Sequence, residues 1–599
     1  MFATIAAAVV CNAAALLAQV AAATGGAHWR AVAEISATGS LASSGFRGAA
    51  QLHDDVRDGR YATRFTLPVV GTTVEVYDGR KRWVRDISGG VHAYDSWYPR
   101  VRAITQAYLT RRAYLNPHSN ATMACAGFAG SGSSRRELLR IEPRGGIAAT
   151  LAIDPRTHLL DSISVRTPIT IDVTTFGDYR QTGALVLPYA ISVGSAFEPE
   201  NADRISVTHY DVGRAVNPTD FAKPAPLRNA RMAGNARATT VPIALEGRQL
   251  LVWASIDGRA PMPFILDTGG HAILDAVAAR MLGVHAYGSG VSGGAGSGTI
   301  ALRYARVRSM RIGDAELLDQ PMLVIPYSYD FYERGRRVPL AGILGLEWFE
   351  RYAVRIDYVG KRLTLAPLSI FSYHGKATHV PIRFQEDMPL AQASADRNAG
   401  DFGVDTGNAG LLMLYGDFLR RTGLSARYAP GVTVHGQGTG GSNSGTIQTL
   451  TSFSIGGRAI PNISADFTQM KSGSFASWTE AGDLGLSVLS HFTPTFDYAD
   501  ETLYLEPLAH PLSILRNRSG LTFTKKEAKA IEVVAVRPNS AASAAGIAAG
   551  DRIVAVNGKD ATEFSSADFL ELVTAPAGTP LRLTVARGSS SRDVTLVLR

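Results

Sequence analysis

A chain of 599 residues is too long to form one ordinary domain. Its composition, with 46% hydrophobic and 19% charged residues, supports sizeable cores and excludes a disordered protein. The net charge of +8 is small for this length and the basic residues are scattered, so the chain lacks the dense basic patch of a nucleic-acid-binding protein.

The first 23 residues are almost wholly small and apolar, and they end in Ala21-Ala22-Ala23, a small-residue pattern that precedes signal-peptide cleavage. We therefore predict a signal peptide over residues 1–23. The alternative is an uncleaved N-terminal anchor, because the apolar run is almost long enough to cross a bilayer. After cleavage Cys125 is the only cysteine, and we expect it to be a small buried hydrophobic residue. No later segment is apolar over the length that a transmembrane helix needs.

Residues 28–222 alternate apolar and polar side chains in short runs, such as 60–65 and 169–173, which Gly, Asp and Asn interrupt. This pattern predicts an antiparallel sheet with one covered face. In pattern it resembles the curved-sheet domains of periplasmic lipoprotein carriers. Residues 223–240 are rich in Pro, Ala, Arg and Asn, and we interpret them as a linker.

The middle of the chain is an internal duplication, which predicts two lobes over residues 241–368 and 378–508. Both halves open on Val-Pro-Ile and continue with an apolar strand that ends in Asp-Thr-Gly. Both then carry a Gly-rich stretch ending in Ser-Gly-Thr-Ile and a late Leu-Gly-Leu element. In each half we compare the distance from the Asp of Asp-Thr-Gly to the Gly of Leu-Gly-Leu. It is 78 residues in the first half and 80 in the second.

A single Asp-Thr-Gly is weak evidence, since a given tripeptide occurs by chance in roughly one chain in ten of this length. Two copies in register with the other landmarks are specific, and both halves resemble the pepsin and retropepsin families of aspartic proteases. The resemblance implies that Asp267 and Asp405 are the catalytic carboxylates, each on a tight loop of one lobe. It assigns loop support to the residues that follow each Asp: Thr268, Gly269, Gly270, Thr406, Gly407 and Asn408.

In these families two carboxylates about 3 Å apart share one proton, because both cannot ionise. The ionised carboxylate activates a water and the protonated one donates to the peptide carbonyl. This chemistry requires no metal or cofactor, and the sequence has neither a zinc-spaced Cys/His cluster nor a phosphate-binding loop. The Gly-rich segments 288–298 and 436–445 are predicted to be flaps that cover the substrate.

The position after each Asp-Thr-Gly departs from the family pattern. Pepsin-like enzymes carry Ser or Thr there, and the hydroxyl supports the catalytic carboxylate, whereas this chain has Gly270 and Asn408. We expect the Asn408 amide to donate near Asp405, and we expect Asp267 to lack such a donor. An alternative therefore stays open, in which the fold is a catalytically silent peptide-binding scaffold.

The last segment, residues 518–599, resembles a PDZ domain. The resemblance rests on the run from Ala545 to Gly558 and on Gly520-Leu521-Thr522-Phe523, which matches the loop whose N–H groups meet a peptide's C-terminal carboxylate. It assigns peptide binding to this loop and to one helix: Gly520, Leu521, Thr522, Phe523, Phe569 and Leu572.

These patterns predict a mainly β protein with an N-terminal antiparallel sheet domain, a duplicated two-lobe β-barrel domain and an α+β PDZ domain. We expect an aspartic endopeptidase of bacterial type, periplasmic or secreted, that is monomeric through its protease domain. Its expected partners are a peptide or protein substrate and a peptide C-terminus at the PDZ groove, with no metal, cofactor or nucleic acid. A third hypothesis is a lipid- or lipoprotein-handling factor, which requires an apolar cavity in the N-terminal domain.

Overall fold

A computed structural model describes residues 12–116, 118–213, 215–327, 330–333, 336–428, 432–512, 517–525 and 530–599. The chain divides into two compact units, Met1–Pro226 and Leu227–Arg599. The structure is mostly β, which confirms the predicted fold class. Within the described part of the chain, no helix has both the length and the apolar character that crossing a bilayer requires.

The first unit is built on one antiparallel sheet. Its strands are β1 (Glu34–Ser43), β2 (Phe46–Asp55), β3 (Tyr61–Leu67), β4 (Gly71–Tyr77), β5 (Arg82–Arg85), β6 (Val91–Tyr94), β7 (Ala121–Ala129), β8 (Arg136–Pro143), β9 (Ala149–Ile153), β10 (Leu160–Arg166), β11 (Ile171–Thr182), β12 (Leu185–Ser195) and β13 (Asp203–Val212). Pairing of β1 with β13 joins two meanders in the order β6-β5-β4-β3-β2-β1-β13-β12-β11-β10-β9-β8-β7.

Two helices cover part of this sheet, α1 (Ala13–Thr24) and α2 (Trp97–Thr110). The side chain of Asn12 caps α1 by accepting from the Ala15 N–H. Leu17 and Val20 of α1 are fully buried, in a cluster that includes Tyr108 and Leu139. The helix overlaps the predicted signal peptide and belongs to the core of this unit, and cleavage of that segment stays a prediction. Cys125 is half-buried and disulfide-bonded, so the expectation of a buried unpaired cysteine is wrong.

The second unit begins with the first lobe. Its strands are β14 (Ala230–Met232), β15 (Thr239–Glu246), β16 (Gln249–Ile256), β17 (Met262–Leu266), β18 (Ile273–Asp275), β19 (Tyr287–Ser292), β20 (Ile300–Ile312), β21 (Ala315–Ile325), β22 (Asp330–Glu333), β23 (Arg336–Pro339), β24 (Gly342–Leu344), β25 (Tyr352–Asp357) and β26 (Arg362–Pro367). Its helices are α3 (Ala276–Leu282) and α4 (Leu346–Phe349). The strand β14 lies in the predicted linker and pairs with β21.

The second lobe repeats this plan. Its strands are β27 (Thr378–Gln385), β28 (Met388–Ala395), β29 (Asn398–Val404), β30 (Leu412–Leu414), β31 (Val432–Gly438), β32 (Gly441–Ile455), β33 (Arg458–Thr468), β34 (Gly482–Leu484), β35 (Phe492–Asp497) and β36 (Thr502–Pro507). Its helices are α5 (Gly416–Thr422), α6 (Leu424–Arg427) and α7 (Leu486–Leu489).

One sheet joins the two lobes, in the order β15-β26-β25-β35-β36-β27. Aromatic side chains fill the space against it: the ring centroids of Phe349 and Phe496 are 5.2 Å apart, and those of Phe349 and Tyr498 are 5.5 Å apart. Each lobe also contains two parallel pairs: β17 with β24 and β18 with β21 in the first lobe, and β29 with β34 and β30 with β33 in the second. The shared sheet and its aromatic core fix the two lobes against each other, which is the condition for a site between them.

The C-terminal segment forms its own sheet and core. Its elements are β37 (Leu521–Thr524), β38 (Ile531–Val536), α8 (Ala541–Ala544), β39 (Arg552–Val556), β40 (Lys559–Asp560), α9 (Ser566–Thr574), β41 (Pro580–Arg587) and β42 (Ser590–Val597). The strands pair in the order β37-β38-β39-β41-β42. A capping box starts α9, in which Ser565 and Asp568 satisfy each other's backbone N–H groups.

Candidate active site

The two Asp-Thr-Gly motifs lie at the ends of the parallel strands β17 and β29. In each lobe the N–H of the Asp donates to a carbonyl of the neighbouring strand, Asp267 to Leu344 at 2.9 Å and Asp405 to Leu484 at 3.2 Å. Asp267 and Asp405 therefore lie on equivalent loops of the two lobes, because each has the apolar Leu-Gly segment of its own lobe behind it.

The two loops are locked together through their threonines. The N–H of Thr268 donates to the hydroxyl oxygen of Thr406 at 3.1 Å, and the N–H of Thr406 donates to that of Thr268 at 3.0 Å. Each hydroxyl in turn donates into the opposite lobe, Thr406 to the carbonyl of Leu266 at 2.9 Å and Thr268 to that of Val404. Both threonines are buried, so this reciprocal set sets the spacing of the loops.

This locking brings the carboxyls of Asp267 and Asp405 into hydrogen-bond contact with each other. Both residues keep partial exposure. Desolvation first, and then the charge of Asp405, raise the pKa of Asp267 well above its usual range. Desolvation first, and then a neighbouring carboxyl, Asp483, raise the pKa of Asp405 to about 8.

The backbone N–H groups favour ionisation of Asp405 over ionisation of Asp267. Asp405 Oδ1 accepts two of them, from Gly407 at 2.7 Å and from Asn408 at 3.0 Å. Asp267 Oδ1 accepts one, from Gly269 at 2.7 Å. Because hydrogen bonds to a carboxylate stabilise its charged form, the proton of the pair resides on Asp267.

The structure corrects the role expected for the Asn408 side chain. Its amide donates to the carboxyl of Asp483 and lies 3.5 Å from the Leu411 carbonyl, whereas only its backbone N–H reaches Asp405. Gly270 has no side chain, and a Cβ built there would meet none of the described residues within 4 Å. The position after the first motif therefore offers Asp267 no side-chain donor.

Sequence reasoning missed Asp483. It lies in the second Leu-Gly-Leu element, where the first half has Ile343, and it is 1% exposed. Desolvation raises its pKa to about 8, and hydrogen bonds from Asp405 and Asn408 act in the opposite direction. The sequence does contain a signal for this residue: the second half has an aspartate at a position where the equivalent segment of the first half is apolar.

Other polar groups hold the loops from behind. Glu347, which is fully buried, accepts from the Ala272 N–H at 3.0 Å and lies 2.9 Å from Nδ1 of His271. The second nitrogen of His271 lies 3.5 Å from Asp387 in the other lobe. In the second lobe the corresponding place is taken by Ser487, whose hydroxyl oxygen accepts from the Leu412 N–H at 2.8 Å.

The two predicted flap segments meet at their tips. The hairpins β19–β20 and β31–β32 carry them, and the Gly296 N–H donates to the Thr439 carbonyl at 2.8 Å while the Gly298 N–H donates to the Gly440 carbonyl at 3.0 Å. The contact is close, because a Cβ on Gly296 would lie 2.3 Å from the backbone of Gly440. The flaps are joined to each other, each lobe supplying one.

Apolar walls flank the pair of carboxyls. In the first lobe, Ile265 and Ile343 pack with Tyr327, whose pKa is raised to about 12 by desolvation and then by the charges of Asp267 and Asp405. The second lobe has a cluster formed by Met413, Tyr415, Met470 and Phe475. Ala295, from the flap segment of the first lobe, packs against it. Each lobe therefore has an apolar cluster with a tyrosine whose pKa is raised in part by the nearby carboxyl charges.

The predicted PDZ residues lie around the edge strand β37 and the helix α9. Gly520 has a φ of +78°, and a Cβ there would lie 2.1 Å from Ser540. The N–H of Leu521 donates to the Ser519 hydroxyl at 3.0 Å. Phe569 is fully buried and meets Phe523 edge-on at 4.8 Å between ring centroids.

The remaining members of the predicted set flank this contact. Thr522 lies on β37 opposite Ala535, and Leu572 of α9 is partly buried against the core of the same domain. The structure thus brings the loop, the strand and the helix together along one side of the domain.

The first unit contains a cluster of a different kind. Glu34, His53 and Asp220 place their ligand atoms within 4.8 Å of one another, a spacing that a metal ion accepts. The Nδ1 of His53 lies 3.3 Å from Glu34 and 3.6 Å from Asp220, and the N–H of Asn217 also donates to Glu34. These contacts join the members of the cluster to one another.

Two parts of the chain match the models of known protein families. Residues 252–348 match the model of an aspartyl protease family, and residues 532–587 match the model of the PDZ domain. The chain thus carries a retropepsin-like aspartyl-protease domain and a C-terminal PDZ domain, which confirms the resemblance drawn from the motifs. No curated protein matches the chain.

Two solved structures are similar to separate parts of it. A LolA superfamily protein from Nitrosomonas europaea is 11% identical over 36% of this chain and 98% of its own, with a TM-score of 0.26. The PDZ domain of HtrA3, bound to a phage-derived ligand, is 34% identical with a TM-score of 0.11. That match covers 12% of this chain and 61% of the HtrA3 chain.

Proposed function

We propose that the chain is an aspartic endopeptidase in which Asp267 and Asp405 activate a water for attack on a peptide bond. One observation carries the proposal: the two carboxyls contact each other across lobes that are locked by reciprocal threonine hydrogen bonds. Such a pair holds a single charge and a single proton at its centre, which is what general acid–base hydrolysis of a peptide requires.

The hydrogen bonds support different roles for the two carboxyls. Asp405, which accepts two backbone N–H groups, is the ionised base that removes a proton from the water. Asp267 holds the proton and donates it to the carbonyl oxygen of the scissile bond. The water oxygen adds to the carbonyl carbon, giving a tetrahedral diol. Collapse of the diol, with proton transfer to the nitrogen, breaks the C–N bond and regenerates the pair.

The roof and walls of the cleft indicate the form of the substrate. The flap tips are joined to each other, and in the proposed reaction an extended peptide passes beneath the two hairpins, whose backbone groups can pair with it. The hydrophobic walls favour apolar side chains on both sides of the cleaved bond. Since one chain supplies both carboxyls, the protease domain needs no second copy.

The PDZ domain is proposed to bind the C-terminus of a peptide or protein along β37 and α9. Its edge strand provides a backbone ladder for an added strand, and the Phe523 and Leu572 side chains provide apolar surface beside it. Export to the periplasm or the medium belongs to the same proposal, and it rests on the apolar N-terminal segment alone.

A proteolysis assay tests the activity. The purified full-length chain is incubated with an unfolded protein from about pH 4 to pH 8, and new termini are mapped by mass spectrometry. We expect cleavage between apolar residues that requires both carboxyls. A well-folded wild type that cleaves nothing, yet binds peptides beneath the flaps, would favour the silent scaffold instead.

A further inference from the structure

The loop that carries Asp267 also carries a histidine that lies between two carboxyl groups. The Nδ1 of His271 lies 2.9 Å from Oε1 of Glu347, a fully buried residue of α4. Its Nε2 lies 3.5 Å from Oδ2 of Asp387, on the turn between β27 and β28 in the second lobe. The histidine side chain is largely buried, with 14% of its surface exposed. One imidazole thus faces a carboxyl of each lobe.

The contacts on both nitrogens favour the doubly protonated ring. A carboxylate only accepts hydrogen bonds, so a histidine that faces a carboxylate at each nitrogen can donate to both only as an imidazolium. The Glu347 carboxylate also accepts from the Ala272 N–H, at 3.0 Å to Oε1 and 3.1 Å to Oε2. A buried carboxylate is costly unless a positive charge and hydrogen bonds compensate it, and His271 supplies that charge.

The fold does not require a charged pair at this point, because the second lobe supports its loop without one. The Ala272 N–H donates to the buried carboxylate of α4, and the Leu412 N–H donates to the Ser487 hydroxyl at 2.8 Å. Ala272 and Leu412 each stand one residue before the first position at which β18 pairs with β24 and β30 pairs with β34. They are therefore equivalent, and the residue before them is His271 in one lobe and Leu411 in the other.

The turn that carries Asp387 also packs on the first Asp-Thr-Gly loop. The side chain of Met388, the next residue, is so close that a Cβ on Gly269 would lie 2.7 Å from its methyl carbon. His271 and Asp387 thus add a charged contact to an interface that Met388 and the reciprocal threonine hydrogen bonds already form. This contact joins the loop of one catalytic carboxyl to the lobe that carries the other.

The elements packed against the loop differ in the charges that they bring to the ring. The helix α4 contributes Glu347, and the β27–β28 turn contributes Asp387, with the exposed Glu386 beside it. The strand β21 meets the loop at Leu323, and β24 consists of glycine and apolar residues. Within the loop itself, Asp267 is the other titratable residue. These titratable groups are all carboxyls, and their negative charge attracts a positively charged ring.

We propose that His271 is a positioning residue for the catalytic pair, an imidazolium that ties the loop of Asp267 to Glu347 in its own lobe and to Asp387 in the other. Loss of one ring proton leaves one nitrogen without a hydrogen, so the neutral ring cannot donate to both carboxylates. The tie between the lobes therefore holds only while the ring is charged. This inference rests on the proposed function, because the placement of Asp267 matters to turnover only if the pair is catalytic.

A double-mutant cycle tests the contact between the lobes. One change is His271→Leu together with Glu347→Ser, which copies the leucine and serine of the second lobe and leaves no buried carboxylate without its cation. The other change is Asp387→Asn, and a fourth protein carries both. At pH 5 each change alone is expected to lower kcat by about tenfold with little change in KM, and the combined protein is expected to lose no more than about tenfold.

A second readout of the same cycle does not depend on catalysis. The effects of the two changes on Tm are expected to be non-additive by about 1 °C or more at pH 5, and additive by about pH 9, where the ring has lost its proton. A contact that only fills space would keep the same coupling at both pH values. Glu386→Gln removes a charge from the same turn and is the matched control, which should show no coupling to the His271 change. If the His271→Leu protein does not fold, His271→Gln, whose amide can still donate to Glu347, replaces it in the cycle.

The two readouts distinguish the failures. A wild type that cleaves nothing, yet shows the pH-dependent coupling in Tm, would contradict the proposed function and leave His271 as a tie between the lobes. An active wild type in which the two changes act independently, in kcat and in Tm, would overturn the role of His271 and leave the proposed function intact. Coupling that is equal at pH 5 and pH 9 would also overturn it, because the contact would then not need the charge of the ring.

Discussion

Gly407 of the second lobe lies against Asp267 of the first, so close that a Cβ on Gly407 would be 2.5 Å from the carboxyl carbon of Asp267. Only a residue without a side chain permits this approach. The contact explains why glycine closes the second motif. It also means that the contact between Asp267 and Asp405 exists only when both loops are in place.

Removing either carboxylate is expected to abolish cleavage. Asp267→Asn and Asp405→Asn each destroy the shared-proton arrangement, so kcat/KM should fall by at least about 10³-fold. The fold should persist, because the threonine hydrogen bonds do not involve the carboxyls. Peptide hydrolysis and circular dichroism are measured together. Turnover by either folded variant at the wild-type rate would exclude this mechanism.

A donor placed at Gly270 is expected to lower the pH range of activity. Among the described residues the position is open, so Gly270→Ser fits without displacing a neighbour, and we expect its hydroxyl to turn toward Asp267. Stabilising the charged form of the pair should move the acid limb of kcat/KM downward, and the basic limb should follow. Gly270→Ala carries the same Cβ without the hydroxyl and is the control. An identical acid limb in the Ser and Ala variants would show that Gly270 does not set it.

Crowding the flap tips is expected to impair substrate binding. Gly296→Ala places a Cβ 2.3 Å from the backbone of Gly440, so the tips cannot close as they do here. We expect kcat/KM to fall by about 10²-fold, since misplacing a covering element by about 1 Å can cost that much. Gly298→Ala, whose Cβ would lie 3.3 Å from the Gly440 oxygen, is the milder control. Equal activity of both variants would mean that the tip contact is not used in catalysis.

The PDZ groove is expected to prefer peptides with an apolar C-terminal residue. Phe523 and Leu572 offer apolar surface beside the carboxylate-binding loop, whereas a charged end would be desolvated there without a partner. Binding is measured by fluorescence polarisation with peptides that differ only in the last residue. Leu572→Ala should weaken binding, and Val597→Ala, an exposed residue of β42, should not. Equal affinity for charged and apolar ends would contradict this assignment.

Glu246 of the first lobe is expected to make the chain less stable at alkaline pH. Desolvation first, and then the charges of Asp568 and Glu571 on α9, raise the pKa of Glu246 to about 8. A raised carboxyl pKa contributes stability that is complete below about pH 4 and is lost as the pH rises through about 8. Glu246→Gln should therefore match wild type near pH 4 and unfold at a Tm higher by roughly 2–4 °C at pH 9.

The control for this measurement is Glu532→Gln, an exposed glutamate on β38 of the PDZ domain. It should leave the pH dependence of Tm unchanged. A Glu246→Gln variant whose Tm follows wild type at every pH would show that Glu246 is charged in the folded state.

The sequence by itself determined the two-lobe plan, the two Asp-Thr-Gly loops and the flap segments. These features are local: an apolar strand, a tight loop and a glycine-rich hairpin are each written in a few consecutive residues, and the duplication repeats them at a nearly constant interval. The PDZ domain was readable for the same reason, from its loop and its Gly-Asp strand.

Only the tertiary structure decided what those loops touch. Asp483 lies 78 residues after Asp405 in sequence and behind it in space, because the parallel pairing of β29 with β34 places Asp483 opposite Gly403. The direction of the Asn408 amide, toward Asp483 and away from Asp405, follows from the same packing. Such contacts join side chains on distant strands, and their orientation depends on how the strands pack, which no local pattern in the sequence specifies.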